Sequence, residues 1–287
     1  MQTAAVWLSI RFEPVIPVKQ LLLPFLAASF ATASALAQDW ARARIEKSPR
    51  HLEWVKVTHD NRTVQSFVAY PEVKDKATAV VVIHEIFGLS DWVRSVTDQF
   101  AAAGCIAIAP DLLSGMGPKG GGSDELGVGD GVRRVIGDLP PAQITADLDA
   151  VIAYAAQLPA CNGKVVVVGF CWGGGEAFRC ATNNAGIRAA FVCYGTGPTA
   201  AGDVARIHCP VYGFYGGDDA RVGATLAQTT ALMKAAGKTY DPVVYKGAGH
   251  GFMRAGEDPT DTGARAAANK KARAEVWQRW TEILRKI

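Results

Sequence analysis

The stretch Val166 to Gly175, VVVGFCWGGG, sets a thiol inside a glycine cluster directly after a run of valines. Its centre, Gly169-Phe170-Cys171-Trp172-Gly173, has the form G-x-nucleophile-x-G. In a nucleophile elbow the reactive residue occupies a strained strand-to-helix turn, and small flanking residues let strand and helix approach closely. Such a turn lifts the Cys171 side chain off the sheet. The helix N-terminus that follows favours thiolate over thiol, and the Trp172 N–H can point at a developing oxyanion. A small buried cysteine at any tight turn would share this pentapeptide, so the nucleophile reading needs partners.

A thiol nucleophile of this kind works with a base oriented by an acid, and both follow it along the chain on loops after later strands. After the run PVYGFYG comes Gly217-Asp218-Asp219-Ala220-Arg221-Val222, and after DPVVYKG comes Ala248-Gly249-His250-Gly251-Phe252. Both candidates stand at the carboxyl ends of apolar runs, where α/β proteins build their sites. Among the 5 histidines, His51 and His59 precede the apolar runs, His208 precedes a strand and His84 lies within one. His250 alone stands where a general base is needed. Spacing does not separate Asp218 from Asp219.

The elements that must hold these residues are legible as patterns. LEWVKVTH (Leu52 to His59) and TVQSFVAY (Thr63 to Tyr70) alternate apolar and polar residues around Asp60-Asn61-Arg62, which predicts a half-exposed antiparallel hairpin. From residue 79 onward six nearly continuous apolar runs follow: AVVVIHEI, CIAIAPDLL, KVVVVGF, AAFVCYG, PVYGFYG and DPVVYKG. Runs of that kind are strands covered on both faces, as in a parallel sheet. Helix-period segments lie between them, at about 92–103, 141–157, 174–182 and 222–236, with a last one at 262–286. The alternation predicts a single three-layer αβα sandwich with a mostly parallel central sheet and right-handed crossovers. In the last helix Val276, Trp277, Trp280, Ile283 and Leu284 form an apolar stripe suited to packing on the sheet.

The segment Ser114 to Gly131, SGMGPKGGGSDELGVGDG, breaks the pattern. It contains a formal G-x-G-x-x-G, but Pro118 and the triple glycine after it bar the helix start that a pyrophosphate site requires. It reads as a mobile loop beside the ligand site.

Composition narrows the class. The chain has 287 residues, 49% of them hydrophobic and 20% charged, with a formal net charge of +3 and no long basic run. Disorder and nucleic-acid binding are disfavoured. None of the 6 cysteines forms C-x-x-C, which disfavours zinc ribbons and thioredoxin-like redox sites. Lys19, the small-residue apolar stretch LLLPFLAASFATASALA and its Ala35-Leu36-Ala37 ending have the form of a secretory signal peptide. The expected organisation is therefore an N-terminal extension and signal peptide at 1–37 and one catalytic domain at 38–287. The protein would be exported, periplasmic or secreted, without a stable membrane anchor after cleavage. The unusual first residues allow a translation start near Val18.

Taken together, Cys171 in GFCWGG, an aspartate in YGGDDARV, His250 in GAGHGF, and VVIHEIFGLSDWVR (Val81 to Arg94) resemble the dienelactone hydrolase family, within the α/β-hydrolase superfamily. The likeness runs from about residue 52 to the C-terminus. It implies that Asp219, which directly precedes the A-R-V segment, is the acid. It also implies that Glu85 contacts the resting thiol until substrate displaces it, that Ile86 N–H joins Trp172 N–H in the oxyanion hole, and that Arg254 holds a substrate carboxylate. A second family arginine has no clear counterpart, although Arg133 and Arg134 are near enough in sequence to be considered. The function so implied is hydrolysis of a lactone or small carboxylic ester through an acyl-enzyme. No metal or organic cofactor is expected, and the partner is a small molecule handled by a monomer or small homo-oligomer. A broader carboxylesterase or thioesterase is the alternative, and a non-catalytic binding protein of the same fold a further one.

Overall fold

The computed structural model describes residues 38–127 and 130–287; the expected signal peptide at 1–37 lies outside the described residues. The hairpin is formed by β1 (Leu52–His59) and β2 (Arg62–Ala69). The apolar runs become β3 (Ala77–Ile83), β4 (Ile106–Pro110), β5 (Cys161–Phe170), β6 (Ala189–Cys193), β7 (Val211–Gly216) and β8 (Tyr240–Tyr245). They make one sheet in the order β1-β2-β4-β3-β5-β6-β7-β8. Pairing is antiparallel from β1 through β2 to β4 and parallel from there to β8.

The central strands are apolar along their buried lengths because both faces are covered; on β5 only the opening stretch after Cys161, Asn162 to Lys164, is polar and reaches solvent. On β5, Val165 and Val167 enter the core on one side, while Val166, Val168 and Phe170 enter the core on the other. The helices in chain order are α1 (Asp39–Glu46), α2 (Asp91–Ala102), α3 (Ser123–Leu126), α4 (Asp130–Val135), α5 (Pro141–Gln157), α6 (Trp172–Asn183), α7 (Ala201–Ala205), α8 (Ala220–Gly223), α9 (Leu226–Ala235), α10 (Phe252–Ala255) and α11 (Ala266–Leu284). On α11, Val276 and Trp280 are fully buried, and the Trp280 ring packs against Phe100, Phe170, Phe191 and Phe214 beneath β5 to β7. The aromatic cluster backs the strand that ends at Cys171.

Three expectations need correction. Residues 39–46, before the hairpin, for which the sequence patterns give no element, form α1, which packs Trp40, Ala41 and Ile45 on the core and is fastened by tertiary polar contacts. Arg42 pairs with Asp91 at 3.1 Å, Arg44 with Glu257, and Gln38 Oε1 accepts from Trp92 N–H at 2.6 Å. The helix expected at 222–236 is instead two, α8 and α9; the first starts earlier than expected because Asp219 caps it, its side chain accepting from Val222 N–H. The glycine-rich segment has no helix until α3, in keeping with its composition, yet it is anchored. The Ser123 hydroxyl donates to Asp111 Oδ1 at 2.7 Å and accepts from Leu89 N–H at 3.0 Å. None of its described residues lines the cavity over Cys171.

Candidate active site

Cys171 follows the last residue of β5 and caps α6 with φ +56° and ψ −115°, a left-handed region that costs a non-glycine residue strain. The turn is possible because its neighbours lack side chains. A Cβ on Gly169 would lie 1.8 Å from Gly173 O, and one on Gly173 would lie 2.3 Å from His84 O. The Cys171 N–H donates to Cys193 O on β6 at 3.0 Å, which ties the elbow to the next strand.

The loops after β7 and β8 bring the other two groups to the thiol. His250 Nε2 stands 3.0 Å from Cys171 Sγ, and His250 Nδ1 stands 2.6 Å from Asp219 Oδ2. An ionised carboxylate only accepts, so the proton sits on Nδ1 and Nε2 is free to take the thiol proton. Asp219 is buried and its other oxygen accepts from Val222 N–H at 3.2 Å, whereas Asp218 faces outward and accepts from Arg265 Nε at 3.0 Å. Geometry thereby separates the two aspartates that spacing left equivalent.

Glu85 is buried, as expected after a sheet strand, but its partners differ from those the resemblance implies. Its Oε2 accepts from Arg254 Nε at 2.9 Å and its Oε1 from Tyr194 OH at 3.5 Å, while Cys171 is turned toward His250. Arg254, expected to face a substrate carboxylate, is thus already engaged by Glu85; its guanidinium also lies 5.3 Å from the Phe87 ring centre. Arg133 and Arg134 do not line the cavity, and Arg133 pairs with Asp130 at 3.7 Å. Arg254 lines it together with Arg221, whose charge favours the thiolate and which spacing alone did not single out. A cavity of about 590 Å³ opens over these groups, with Ile86, Phe87, Trp172 and Tyr194 as its apolar wall.

Burial pushes the Cys171 thiol up to about 11, with the Glu85 charge adding to the rise; the Trp172 and Ile86 N–H groups and Arg221 pull the other way. Those two amides are the expected oxyanion donors, and both act on the sulfur. Below its pKa a thiol ionises about tenfold more per pH unit, so iodoacetamide labelling of Cys171 should accelerate steadily from pH 7 to pH 10. In Glu85→Gln the negative charge that raises the pKa is gone, so the rate–pH profile should move to lower pH. A profile that stays in place or moves upward would contradict this electrostatic account.

Two aromatic residues proved to have roles that composition did not suggest. The Trp172 ring stacks on His84 with centres 5.5 Å apart and planes 14° from parallel, so the ring as well as its amide belongs to the site. Burial holds His84 neutral against the pull of the Asp111 carboxylate, and its Nδ1 lies 2.8 Å from Glu85 O. A carbonyl only accepts, so Nδ1 carries the proton. Glu85 C=O also accepts from Gly88 N–H at 3.1 Å. The same trans peptide unit carries Ile86 N–H on its opposite edge, so these two bonds aim the expected oxyanion donor at the sulfur. His84→Phe keeps a ring against Trp172 but loses one of the two bonds. It should lower kcat on p-nitrophenyl acetate about tenfold, the scale of one charge-oriented hydrogen bond, with little change in KM; an equal change in both would indicate a general disturbance instead.

The model of the dienelactone hydrolase family matches residues 64–287. A proposed carboxymethylenebutenolidase of Methylorubrum extorquens is 32% identical over 209 residues, covering 69% of this chain and 71% of that relative. Among solved structures, a proposed dienelactone hydrolase of Klebsiella pneumoniae aligns with a TM-score of 0.70 at 25% identity, over 83% of this chain and 99% of its own. A dienelactone hydrolase-like promiscuous phosphotriesterase from metagenomic libraries shares the fold, with a TM-score of 0.68 at 22% identity over 83% of this chain and 98% of its own.

Proposed function

Because the chain belongs to the dienelactone hydrolase family, and is thus a carboxylic ester hydrolase of the carboxymethylenebutenolidase type, we propose that it is an exported cysteine hydrolase of lactones or small carboxylic esters. The observation that carries this reading is the unbroken line from Asp219 through His250 to Cys171, at 2.6 and 3.0 Å, at the base of a cavity. His250 takes the thiol proton, Sγ attacks the carbonyl carbon, and Ile86 and Trp172 N–H hold the oxyanion. The tetrahedral intermediate collapses to a thioester as the leaving oxygen takes the proton back from His250. Water, activated by the same imidazole, then releases the acid.

Arg254 and Glu85 link binding to nucleophile activation in this reading. A substrate carboxylate reaching Arg254 competes with Glu85 for the guanidinium, and any movement of Glu85 away from the sulfur removes a charge that keeps the thiol protonated. The test compares a carboxylate-bearing dienelactone with neutral p-nitrophenyl acetate in the parent and in Arg254→Ala. A charge-assisted bond accounts for about 10- to 100-fold in affinity, so the dienelactone should lose that much more than the neutral ester. Equal losses on both would favour the broader carboxylesterase reading, which the existing engagement of Arg254 by Glu85 supports.

Export rests on the composition of residues 19–37. N-terminal sequencing of the protein recovered from periplasm should begin at Gln38; recovery of the full chain in the cytosol alone would overturn it.

A further inference from the structure

A second cavity, of about 360 Å³, adjoins the catalytic one, and the two share Gly175, Glu176 and Thr196 in their walls. Its size falls at the lower end of small-molecule sites, ~300–1,000 Å³. It lies between α6, the loop after β6 and α7.

The strand order says which part of a substrate would enter it. β3, which leads to Ile86 N–H, lies on one side of β5, while β6, β7 and β8 lie on the other. The oxyanion is therefore held on the β3 side of the thiol, and the acid and base stand on the side where the second cavity opens. In acyl transfer the leaving oxygen must face the imidazole that protonates it. The group attached to that oxygen is directed toward the second cavity, and the acyl chain remains in the first.

The chemistry of the walls says what kind of group fits. The two arginines are matched by two carboxylates, Arg179 with Glu176 at 2.8 Å and Arg206 with Asp203 at 2.9 Å, so the cavity carries no net charge. Its remaining polar side chains are neutral: Thr196 and Thr199 are exposed, Thr182 donates its hydroxyl to Phe178 O at 3.3 Å, and Asn183 offers its carbonyl oxygen while its NH₂ donates to Thr145 Oγ1 at 3.2 Å. Glu176 stands at the junction, where burial pushes its carboxyl up while Arg179 pulls it down. A lactone, whose alcohol stays tethered to its acyl chain after opening, has no use for a second chamber.

We propose that this second cavity is a leaving-group subsite, and that the protein's substrate is an open-chain ester of a neutral, hydroxyl-rich alcohol. The inference rests on the cysteine hydrolase reading above. Attack by Cys171 Sγ forms the thioester, the C–O bond to the alcohol breaks, and the free alcohol departs with the proton His250 received from the thiol.

The experiment measures kcat/KM of the mature enzyme on glucose 6-acetate, ethyl acetate and 3-acetoxypropanoate, with the acetyl adduct located by mass spectrometry. Glucose 6-acetate should exceed ethyl acetate about 10- to 30-fold, the yield of two ordinary hydrogen bonds, and the anionic ester should be the poorest. In Thr199→Val/Asn183→Ala the ratio of the sugar ester to ethyl acetate should fall toward unity, and because it is a ratio within one preparation, partial misfolding does not imitate it. A parent ratio near unity, an unchanged ratio in the variant, or preference for the anionic ester would overturn the subsite. Those results with acetyl on Cys171 leave the hydrolase reading standing; hydrolysis without acetyl on Cys171 would remove both.

Discussion

Cys171→Ala is expected to lose at least about 10⁴-fold in kcat/KM on p-nitrophenyl acetate, because removing a nucleophile ends the covalent route and leaves only what the oxyanion donors and binding supply. Ester-derived acyl label should also disappear from the protein. The substitution removes one sulfur from a half-buried position at the edge of the core, and the thermal transition reports directly whether the fold is kept. Turnover equal to the parent would remove the thiol mechanism altogether. The other 5 cysteines are buried and unpaired, so none stands ready to replace it.

Asp219→Asn should lower kcat by about 10³- to 10⁴-fold, the effect of allowing the imidazole to present the wrong tautomer. At 2.6 Å the carboxylate fixes the proton on His250 Nδ1; an amide can rotate its NH₂ toward that nitrogen and place the proton on Nε2, where it blocks acceptance from the thiol. Asp218→Asn is the matched control. Its side chain pairs with exposed Arg265 rather than His250, so kcat should stay within about twofold, the small effect usual for an exposed ion pair. Comparable losses in both variants would mean that the loop as a whole, rather than the Asp219 carboxylate, matters.

Much of the fold could be read in advance because its signals are local. A strand covered on both faces must be apolar, and β3 to β7 appear in the sequence as nearly unbroken runs for that reason, whereas β8, at the sheet edge, carries exposed Asp241 and Val244. The glycines around Cys171 were equally legible, since the elbow needs close backbone approach at Gly169 and Gly173. Elements whose stability comes from distant partners were not. α1 offers the core only Trp40, Ala41 and Ile45 and is fastened by Asp91, Trp92 and Glu257, which lie far along the chain. The early start of α8 follows from the side-chain cap by Asp219, whose orientation is shared with its contact to His250.

By itself, the sequence determined the sheet, the chain order of thiol, acid and base, and the glycine-bounded turn, because each depends on residue type at short spacing. Only the tertiary structure decided by contact what spacing left open between Asp218 and Asp219, that Arg254 is engaged by Glu85, and that Arg221, Tyr194 and His84 complete the site. These contacts join residues from separate strands and loops, and their distances are set by how the sheet orders those strands. No local pattern along the chain encodes that order.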